Sequence, residues 1–304
     1  MPSALCSEEP SVLPLCVEIS YYRTKVERKA LSATEFECLQ SRQMGVKMKI
    51  LILYFSGTGS TKWIAELMQS CLLHSEICTA DLFSVENSTN LNLIDYDAFI
   101  IGTPVYHGAP SNMIKKYFDL LSPLSKRTPA FIFNTRAWCS CNTNRLLAKQ
   151  LLKKNIITVK DRDYQTPASD GALILPVYKK FFTFEKNIHA KIHRDCMDFL
   201  EQLRAEQLYG YIPRFRFSSI INSPNKLMGQ MITFKIFLHQ DKCVKCGRCI
   251  QNCPHHALKR SKSGYPLFLI AKCENCYRCI HHCPAKALSL SKRTTPKKVL
   301  SFYK

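Results

Sequence analysis

The chain has 304 residues, of which 46% are hydrophobic and 22% charged, and this length is that of two average domains. Such ordinary composition excludes a disordered chain, a collagen and a coiled-coil rod, and the apolar stretches are too short or too interrupted to span a membrane. The formal net charge is +20, from 43 Lys and Arg against 23 Asp and Glu.

Residues 1–47 show neither a helical nor a strand period, and we interpret them as a poorly ordered N-terminal extension. Glu8, Glu9 and Pro10 precede any apolar run, which argues against a secretory signal peptide, and the glutamates of this stretch argue against a transit peptide. A start codon placed too early explains the extension equally well. We therefore expect a cytoplasmic protein with reduced thiols.

Strand and helix patterns alternate across residues 48–207, which we interpret as one domain. Strands are predicted at residues 49–55, 77–83, 98–103, 130–134 and 172–177. Helical spacing of apolar residues runs from Trp63 to Leu72 and recurs at residues 112–121, 144–154 and 185–207. This alternation predicts an α/β fold, a doubly wound parallel sheet with helices on both faces.

Residues 208–240 are interpreted as a connector, and residues 241–290 contain an internal repeat. Each unit has the spacing C-x2-C-x2-C-x3-C-P and runs on to Ala-Leu. Residues 291–304 form a basic tail that we expect to be loose. The repeat contains eight of the 16 cysteines: Cys243, Cys246, Cys249, Cys253, Cys273, Cys276, Cys279 and Cys283.

The clustering of these cysteines indicates a metal site rather than disulfides. Two structural zinc sites are one alternative, because paired CxxC motifs bind zinc tetrahedrally. The third cysteine of each CxxCxxC run and the Cys-Pro that follows exceed what zinc needs. The spacing therefore favours iron–sulfur clusters.

A polar glycine-containing loop, Ser56-Gly57-Thr58-Gly59-Ser60-Thr61, joins the first predicted strand to the first helix. We call residues 56–61 the phosphate loop. Its N–H groups and hydroxyls would converge on an anion at the helix N-terminus. It has neither the GxxxxGK[ST] nor the GxGxxG pattern, so a nucleoside triphosphate loop and a dinucleotide fingerprint are excluded. The alternative is a polar turn that only caps the helix.

The [S/T]-x-T-G-x-T pattern of the phosphate loop resembles that of flavodoxins, and the later run GTPVYHGAP at residues 102–110 is similar to their second flavin loop. The resemblance implies a sheet of order 2-1-3-4-5 that binds FMN at the carboxyl ends of its strands. Tyr106 would then lie near the flavin ring, although plain packing is an alternative. The FMN contacts that the resemblance implies are Ser56, Gly57, Thr58, Gly59, Ser60, Thr61, Thr103, Pro104, Val105, Tyr106, His107 and Gly108.

A third flavin loop would follow the fourth predicted strand, in the run from Asn134 to Cys141. This run lacks the glycines that many flavodoxins have there, so it departs from the family pattern. Cys139 and Cys141 within it are interpreted as two ordinary reduced thiols, with redox activity as the alternative. The flavin contacts expected from this loop are Thr135, Arg136, Ala137 and Trp138.

The cysteine repeat resembles bacterial-type ferredoxins with two 4Fe-4S clusters, which form a small α+β domain. In that arrangement three ligands of each cluster come from one repeat and the fourth from the other repeat. The resemblance therefore implies two crossed ligand sets. These are Cys243, Cys246, Cys249 and Cys283 for one cluster, and Cys273, Cys276, Cys279 and Cys253 for the other.

Together, residues 48–290 resemble the flavodoxin–ferredoxin fusion proteins of anaerobic microbes. The resemblance implies electron transfer between two 4Fe-4S clusters and FMN, and we favour an electron carrier without a substrate pocket of its own. One alternative is a flavin-dependent reductase of quinones, nitro compounds or nicotinamide cofactors, fed through the clusters. Another is an interaction module that has lost FMN.

The positive charge lies mostly in the C-terminal third, where residues 211–304 contain 18 Lys and Arg but only Asp241 and Glu274 as acids. This favours an acidic redox protein as partner. Nucleic acid is disfavoured because no nucleic-acid-binding motif accompanies the charge. The sequence gives no oligomeric state.

Other polar side chains lie beside the cluster cysteines. Arg248 and Arg278 sit within the cluster loops, and either a role in raising the cluster potential or a solvent-facing position fits them. The histidines that flank the cluster cysteines are expected to be solvated: His255, His256, His281 and His282.

Overall fold

The computed structural model describes residues 47–88, 91–169, 183–205, 207–221 and 236–290, together with Lys292. The predictions of a disordered extension, of a strand at residues 172–177 and of a loose tail fall almost entirely outside these residues. Within the described part of the chain, no helix is both long enough and apolar enough to cross a membrane.

A parallel sheet forms the centre of the N-terminal half. Its strand order is β2-β1-β3-β5-β6, and a two-residue strand, β4, pairs antiparallel with the end of β3. Without β4 this order is the expected 2-1-3-4-5, so the flavodoxin-like doubly wound sheet is confirmed. The strands are β1 (Met48–Tyr54), β2 (Cys78–Ser84), β3 (Ala98–Tyr106), β4 (Ala109–Pro110), β5 (Thr128–Arg136) and β6 (Ile156–Gln165).

Helices cover both faces of the sheet, as predicted. The first strand shows why, because its side chains alternate between the two faces and are apolar on both faces from Ile50 onward. Ile50 and Ile52 pack in the core beneath α1 and α4, whereas Leu51 and Leu53 pack in the core beneath α2 and α3. These helices are α1 (Ser60–His74), α2 (Asn112–Leu120), α3 (Thr143–Leu152) and α4 (Ile188–Arg204).

Strand β6 is the element that the sequence pattern misses. Its second half reads Lys-Asp-Arg-Asp-Tyr, so it lacks the apolar run expected of a buried strand. Lys160, Arg162 and Tyr164 alternate onto one face of the strand, where they meet Asp195 of α4. The buried Lys160 and Tyr164 therefore have partners inside the fold, and Arg162 binds the same carboxylate from the surface, so the strand does not need an apolar pattern.

Asp195 is the centre of this buried group. Its carboxylate accepts hydrogen bonds from Arg162 Nε at 2.7 Å and from the Tyr164 hydroxyl at 2.8 Å, and it lies 3.3 Å from Lys160 Nζ. The side chains of Lys160 and Asp195 are only 4% and 5% exposed. Burial and the neighbouring carboxylate raise the pKa of Tyr164, so this residue remains a hydrogen-bond donor.

We predict that Asp195→Ala lowers the free energy of unfolding by about 3–5 kcal/mol, because it leaves the buried Lys160 without its most buried partner. Asp198 provides a matched control: it pairs with the same lysine at 3.1 Å, but its side chain is 45% exposed. Asp198→Ala should cost less than about 1 kcal/mol. Urea denaturation measures both. Equal losses from the two variants would contradict this account of the strand.

The C-terminal half is a small α+β fold built on the cysteine repeat. Strand β7 (Phe237–Leu238) pairs antiparallel with β10 (Leu288–Ser289), and β8 (Leu258–Arg260) pairs antiparallel with β9 (Pro266–Phe268). A one-turn helix contains the third cysteine of each repeat, at Arg248–Gln251 and Arg278–His281. The small hydrophobic core of this C-terminal half includes Tyr277, Ile280 and Leu288.

The two repeats have the same unusual backbone conformation at two pairs of equivalent positions. Left-handed φ angles occur at Gly247 (78°) and at its counterpart Tyr277 (57°). They also occur at Lys245 (53°) and at Asn275 (57°). Such angles are uncommon outside glycine, so matched pairs of them indicate one shared loop geometry. We call residues 243–249 the first cluster loop and residues 273–279 the second cluster loop.

The described part of the connector is bound to the flavodoxin-like half by hydrogen bonds. Tyr211 N donates to Thr158 O of β6 at 2.8 Å, and Arg145 Nη1 donates to Pro213 O at 2.8 Å. Arg216 bonds to Asn142 and Asp163. A short helix, Ser218–Ile221, lies in this segment.

Candidate functional site

The phosphate loop leads from β1 into α1 and is almost wholly buried. Gly59 takes a left-handed conformation (φ 104°) immediately before the helix, and its N–H donates to Ser56 Oγ at 3.0 Å. The first N–H groups of a helix have no partner within the helix. The hydroxyl oxygen of Ser60 is buried and has no hydrogen-bond partner. An anion such as a phosphate would satisfy both kinds of group.

A polar cleft at the carboxyl end of the sheet brings together most of the predicted flavin-loop residues. Thr61 Oγ1 lies 2.8 Å from Thr135 Oγ1 and links the phosphate loop to the third flavin loop. The walls of the cleft consist of Ser56, Gly57, Thr58, Ser60, Thr61, Pro104, Val105, Tyr106, Thr135, Ala137, Thr166, Pro167, Ala168 and Ser169.

The last four of these residues follow β6 and were missed by the sequence reasoning. Their run, Thr-Pro-Ala-Ser, has no glycine or aromatic signal of its own. The run could be recognised only by its position directly after a strand of the sheet. Because β6 has no strand pattern in the sequence, that position could not be predicted. Parallel strands end at the same edge, so correct placement of β6 would have predicted this wall.

Two candidates of the third flavin loop face away from the cleft walls. Arg136 Nε donates to Asp163 and its Nη1 donates to Trp138 O at 3.0 Å, so its guanidinium is engaged elsewhere. Burial alone would raise the pKa of Asp163, but hydrogen bonds and charge from Arg136 and Arg216 lower it. Trp138 is 72% exposed.

The Sγ atoms of Cys139 and Cys141 lie 3.3 Å apart.

Among the second-loop candidates, Tyr106 is the one most closely engaged with the phosphate loop. A Cβ placed on Gly57 would overlap the Tyr106 hydroxyl. Thr103 is fully buried, and its hydroxyl accepts a hydrogen bond from Ser111 N at 3.0 Å. His107 and Gly108 form the turn between β3 and β4 with φ angles of 50° and 74°. These residues therefore shape the loop.

The eight cysteines of the repeat lie in two groups of four. Cys243, Cys246, Cys249 and Cys283 line one cavity. Burial, and then the charges of the other three, raise the pKa of Cys249 to about 11. Burial raises the pKa of Cys279, and the charges of Cys276, Cys273 and Cys253 add to this effect ahead of Cys249. The structure thus brings together the two crossed sets.

The surroundings of these sulfurs fit iron–sulfur clusters. Backbone N–H groups approach the sulfur of Cys253 at 3.2 Å, of Cys283 at 3.3 Å and of Cys273 at 3.4 Å. Hydrogen bonds to sulfur are a usual means of tuning such clusters.

The second cluster loop packs directly on the phosphate loop. A Cβ on Gly57 would lie 3.2 Å from both the Cβ and the carbonyl oxygen of Cys276. Arg278 Nη2 donates to Ser56 O at 2.6 Å, and Arg278 Nε donates to Gly57 O at 3.1 Å. The cysteine repeat and the flavin cleft therefore share a wall.

Two further contacts cross this junction, and a third holds Glu274 in place. The Glu274 carboxylate accepts from Asn112 N at the start of α2 and lies 2.8 Å from His255 Nε2, with both side chains about 5–6% exposed. His281 Nε2 lies 2.8 Å from Ser169 O in the cleft wall. The expectation that these histidines are solvated is therefore wrong for His255 and His281, because both are buried in the contact.

Comparisons with known proteins agree with this architecture. The family described as "Flavodoxin domain" matches residues 51–184, and the family described as "4Fe-4S binding domain" matches residues 236–259. A curated relative, pyruvate synthase subunit PorD of Pyrococcus horikoshii, is 34% identical over 84 residues, which are 28% of this chain and 72% of PorD.

Solved structures with detectable similarity include two flavodoxins. One, from the domain Archaea, is 16% identical and covers 52% of this chain and all of its own, with a TM-score of 0.38. The flavodoxin of Megasphaera elsdenii is 17% identical and covers 38% of this chain and 84% of its own, with a TM-score of 0.34.

The chain belongs to the flavodoxin–ferredoxin fusion family, with an N-terminal flavodoxin domain and a C-terminal 4Fe-4S ferredoxin domain. Its cofactors are FMN and two 4Fe-4S clusters, and its role is electron transfer. FMN supplies one- and two-electron chemistry when it is bound, and each cluster supplies one-electron chemistry.

We predict that Gly57→Ala weakens FMN binding by about 1–3 kcal/mol, the usual cost of overpacking a filled site. Tyr106→Phe in the same chain should recover part of the loss, because it removes the hydroxyl that the new methyl group overlaps. Titration of the FMN-free protein by flavin fluorescence measures both. Undiminished affinity in Gly57→Ala would show that the loop is not packed as described.

Proposed function

We propose that this protein passes electrons between its two 4Fe-4S clusters and FMN within one chain, with the phosphate loop and the flavin loops holding FMN. The observation that carries this proposal is the packing of the second cluster loop on the phosphate loop, through Cys276 and Gly57. No separate protein has to dock for cluster ligands to reach the flavin cleft. Electron transfer falls steeply with distance, so this contact favours direct exchange.

We assign the ligands as two crossed sets. Cys253, Cys273, Cys276 and Cys279 would hold the cluster nearer the flavin cleft, and Cys243, Cys246, Cys249 and Cys283 would hold the other. The exposures of equivalent residues support this order. Cys276 and Cys279 are buried, whereas Cys246 is exposed and its neighbour Val244 is 68% exposed.

The first cluster loop is therefore the candidate for exchange with another protein. Its exposed surroundings are cationic, with Asp241 as the single acid on the described part of this surface. Such a surface attracts an acidic one-electron redox protein and speeds its association. The exposed cations are Lys242, Lys245, Arg248, Lys259, Arg260 and Lys262.

Free thiolate ligands require a reducing compartment, so we propose a cytoplasmic location.

The exchange within one chain predicts a rate that does not depend on protein concentration. The FMN-free protein is prepared, its clusters are reduced, and excess reductant is removed. FMN is then added anaerobically at a saturating concentration. After binding, bleaching of the flavin absorbance should follow a first-order rate that is the same at all protein concentrations. A rate that rises with protein concentration would mean transfer between molecules and would contradict the proposal.

The position of the partner surface predicts a charge effect. Lys245→Glu should slow reduction by an acidic two-cluster ferredoxin severalfold at low salt, and by less at high salt, because screening weakens steering. Lys116→Glu is the matched control, since Lys116 is an exposed lysine on α2 of the flavodoxin domain. Equal slowing by the two substitutions would assign the effect to net charge and not to this surface.

A further inference from the structure

Arg278 joins the phosphate loop, the segment after β2 and both cysteine repeats. Besides Ser56 O and Gly57 O, its guanidinium binds both carboxylate oxygens of Glu86, at 2.7 and 2.8 Å. It also donates to Asn252 O at 3.3 Å and stacks on the Phe55 ring at 5.4 Å. Its side chain is only 13% exposed. Every N–H of the guanidinium thus has an acceptor, and all of these acceptors except Asn252 O belong to the flavodoxin domain.

The hydrogen bonds from Arg278 determine which way the phosphate loop faces. In a trans peptide the C=O group and the following N–H group point in opposite directions. Arg278 holds the carbonyl oxygens of Ser56 and Gly57 on the ferredoxin side. The N–H groups of Gly57 and Thr58 are therefore turned to the opposite side, and both residues line the cleft.

The charge of Arg278 acts locally. Glu86 forms a bidentate pair with it, so the guanidinium charge is largely neutralised where it lies. Glu86 follows β2 and is not part of the cleft wall. Arg278 therefore affects a phosphate through the orientation of the loop, and Glu86 affects it only by holding Arg278.

The internal repeat contains a natural comparison. Arg248 occupies the equivalent place in the first cluster loop, and the two loops share their left-handed backbone positions. Arg248 is exposed, whereas Arg278 is enclosed by the flavodoxin domain. Arg278 can therefore act on the phosphate loop, whereas its equivalent Arg248 cannot.

We propose that Arg278 of the ferredoxin domain is a positioning residue for the flavodoxin phosphate loop, and that it gives the cleft its preference for FMN over riboflavin. This inference rests on the proposed assignment of the phosphate loop to FMN. The ferredoxin domain then completes the flavin site as well as carrying the clusters. Riboflavin has the same ring without the phosphate, so it reports on the rest of the cleft alone.

The test compares dissociation constants for FMN and riboflavin on the full chain with its clusters oxidised and its iron content measured. Arg278→Gln should weaken FMN binding about tenfold or more while riboflavin binding changes less than about twofold, within the usual range of coupling between sites. Arg248→Gln should leave both constants unchanged. Weaker binding of both flavins by the same factor in Arg278→Gln would mark general damage and overturn the proposal.

A milder variant keeps the test decisive if Arg278→Gln does not assemble its clusters. Arg278→Lys keeps the charge but loses the planar fork that binds both loop carbonyls. It should lower the preference for FMN over riboflavin. Wild-type preference in Arg278→Lys would overturn the proposal. These constants involve no electron transfer, so a failure of the proposed function would leave them unaffected.

Discussion

The contact between the phosphate loop and the second cluster loop is the constraint on which the rest of the site depends. Gly57 is small enough for Cys276 to approach, and Arg278 fills the remaining space with hydrogen bonds to two loop carbonyls and to Glu86. Glu274 and His255 extend the contact to the start of α2. The phosphate loop that lines the flavin cleft thus packs directly against the loop that contains three cysteines of one cluster set.

This contact also explains why two nearly identical cysteine repeats have different surroundings. The loops match in spacing and in backbone conformation, but the equivalents of Val244 and Arg248 are Glu274 and Arg278. The first pair is exposed to solvent, and the second pair binds the flavodoxin domain. The two ends of the ferredoxin domain therefore differ, with an exposed cationic end at the first cluster loop and a buried end against the flavodoxin domain at the second.

The sequence predicts the parts of this arrangement that depend on local chemistry. The strand–loop–helix unit at the phosphate loop and the two cysteine repeats were clear because their spacing has a physical cause. Strand β6 was missed because its charges pair with Asp195, about 30 residues further along the chain, and its cleft wall was missed with it. His255 and Arg278 look like surface residues in sequence, because only the packing of two domains buries them.

A crystal structure of the anaerobically purified protein, with iron located by anomalous scattering, tests the central claim most directly. The account predicts that the cluster nearer FMN is the one bound by Cys253, Cys273, Cys276 and Cys279, with the second cluster loop against the phosphate loop. A structure in which the other cluster lies nearer FMN, or in which the two domains do not touch at Gly57, would contradict it.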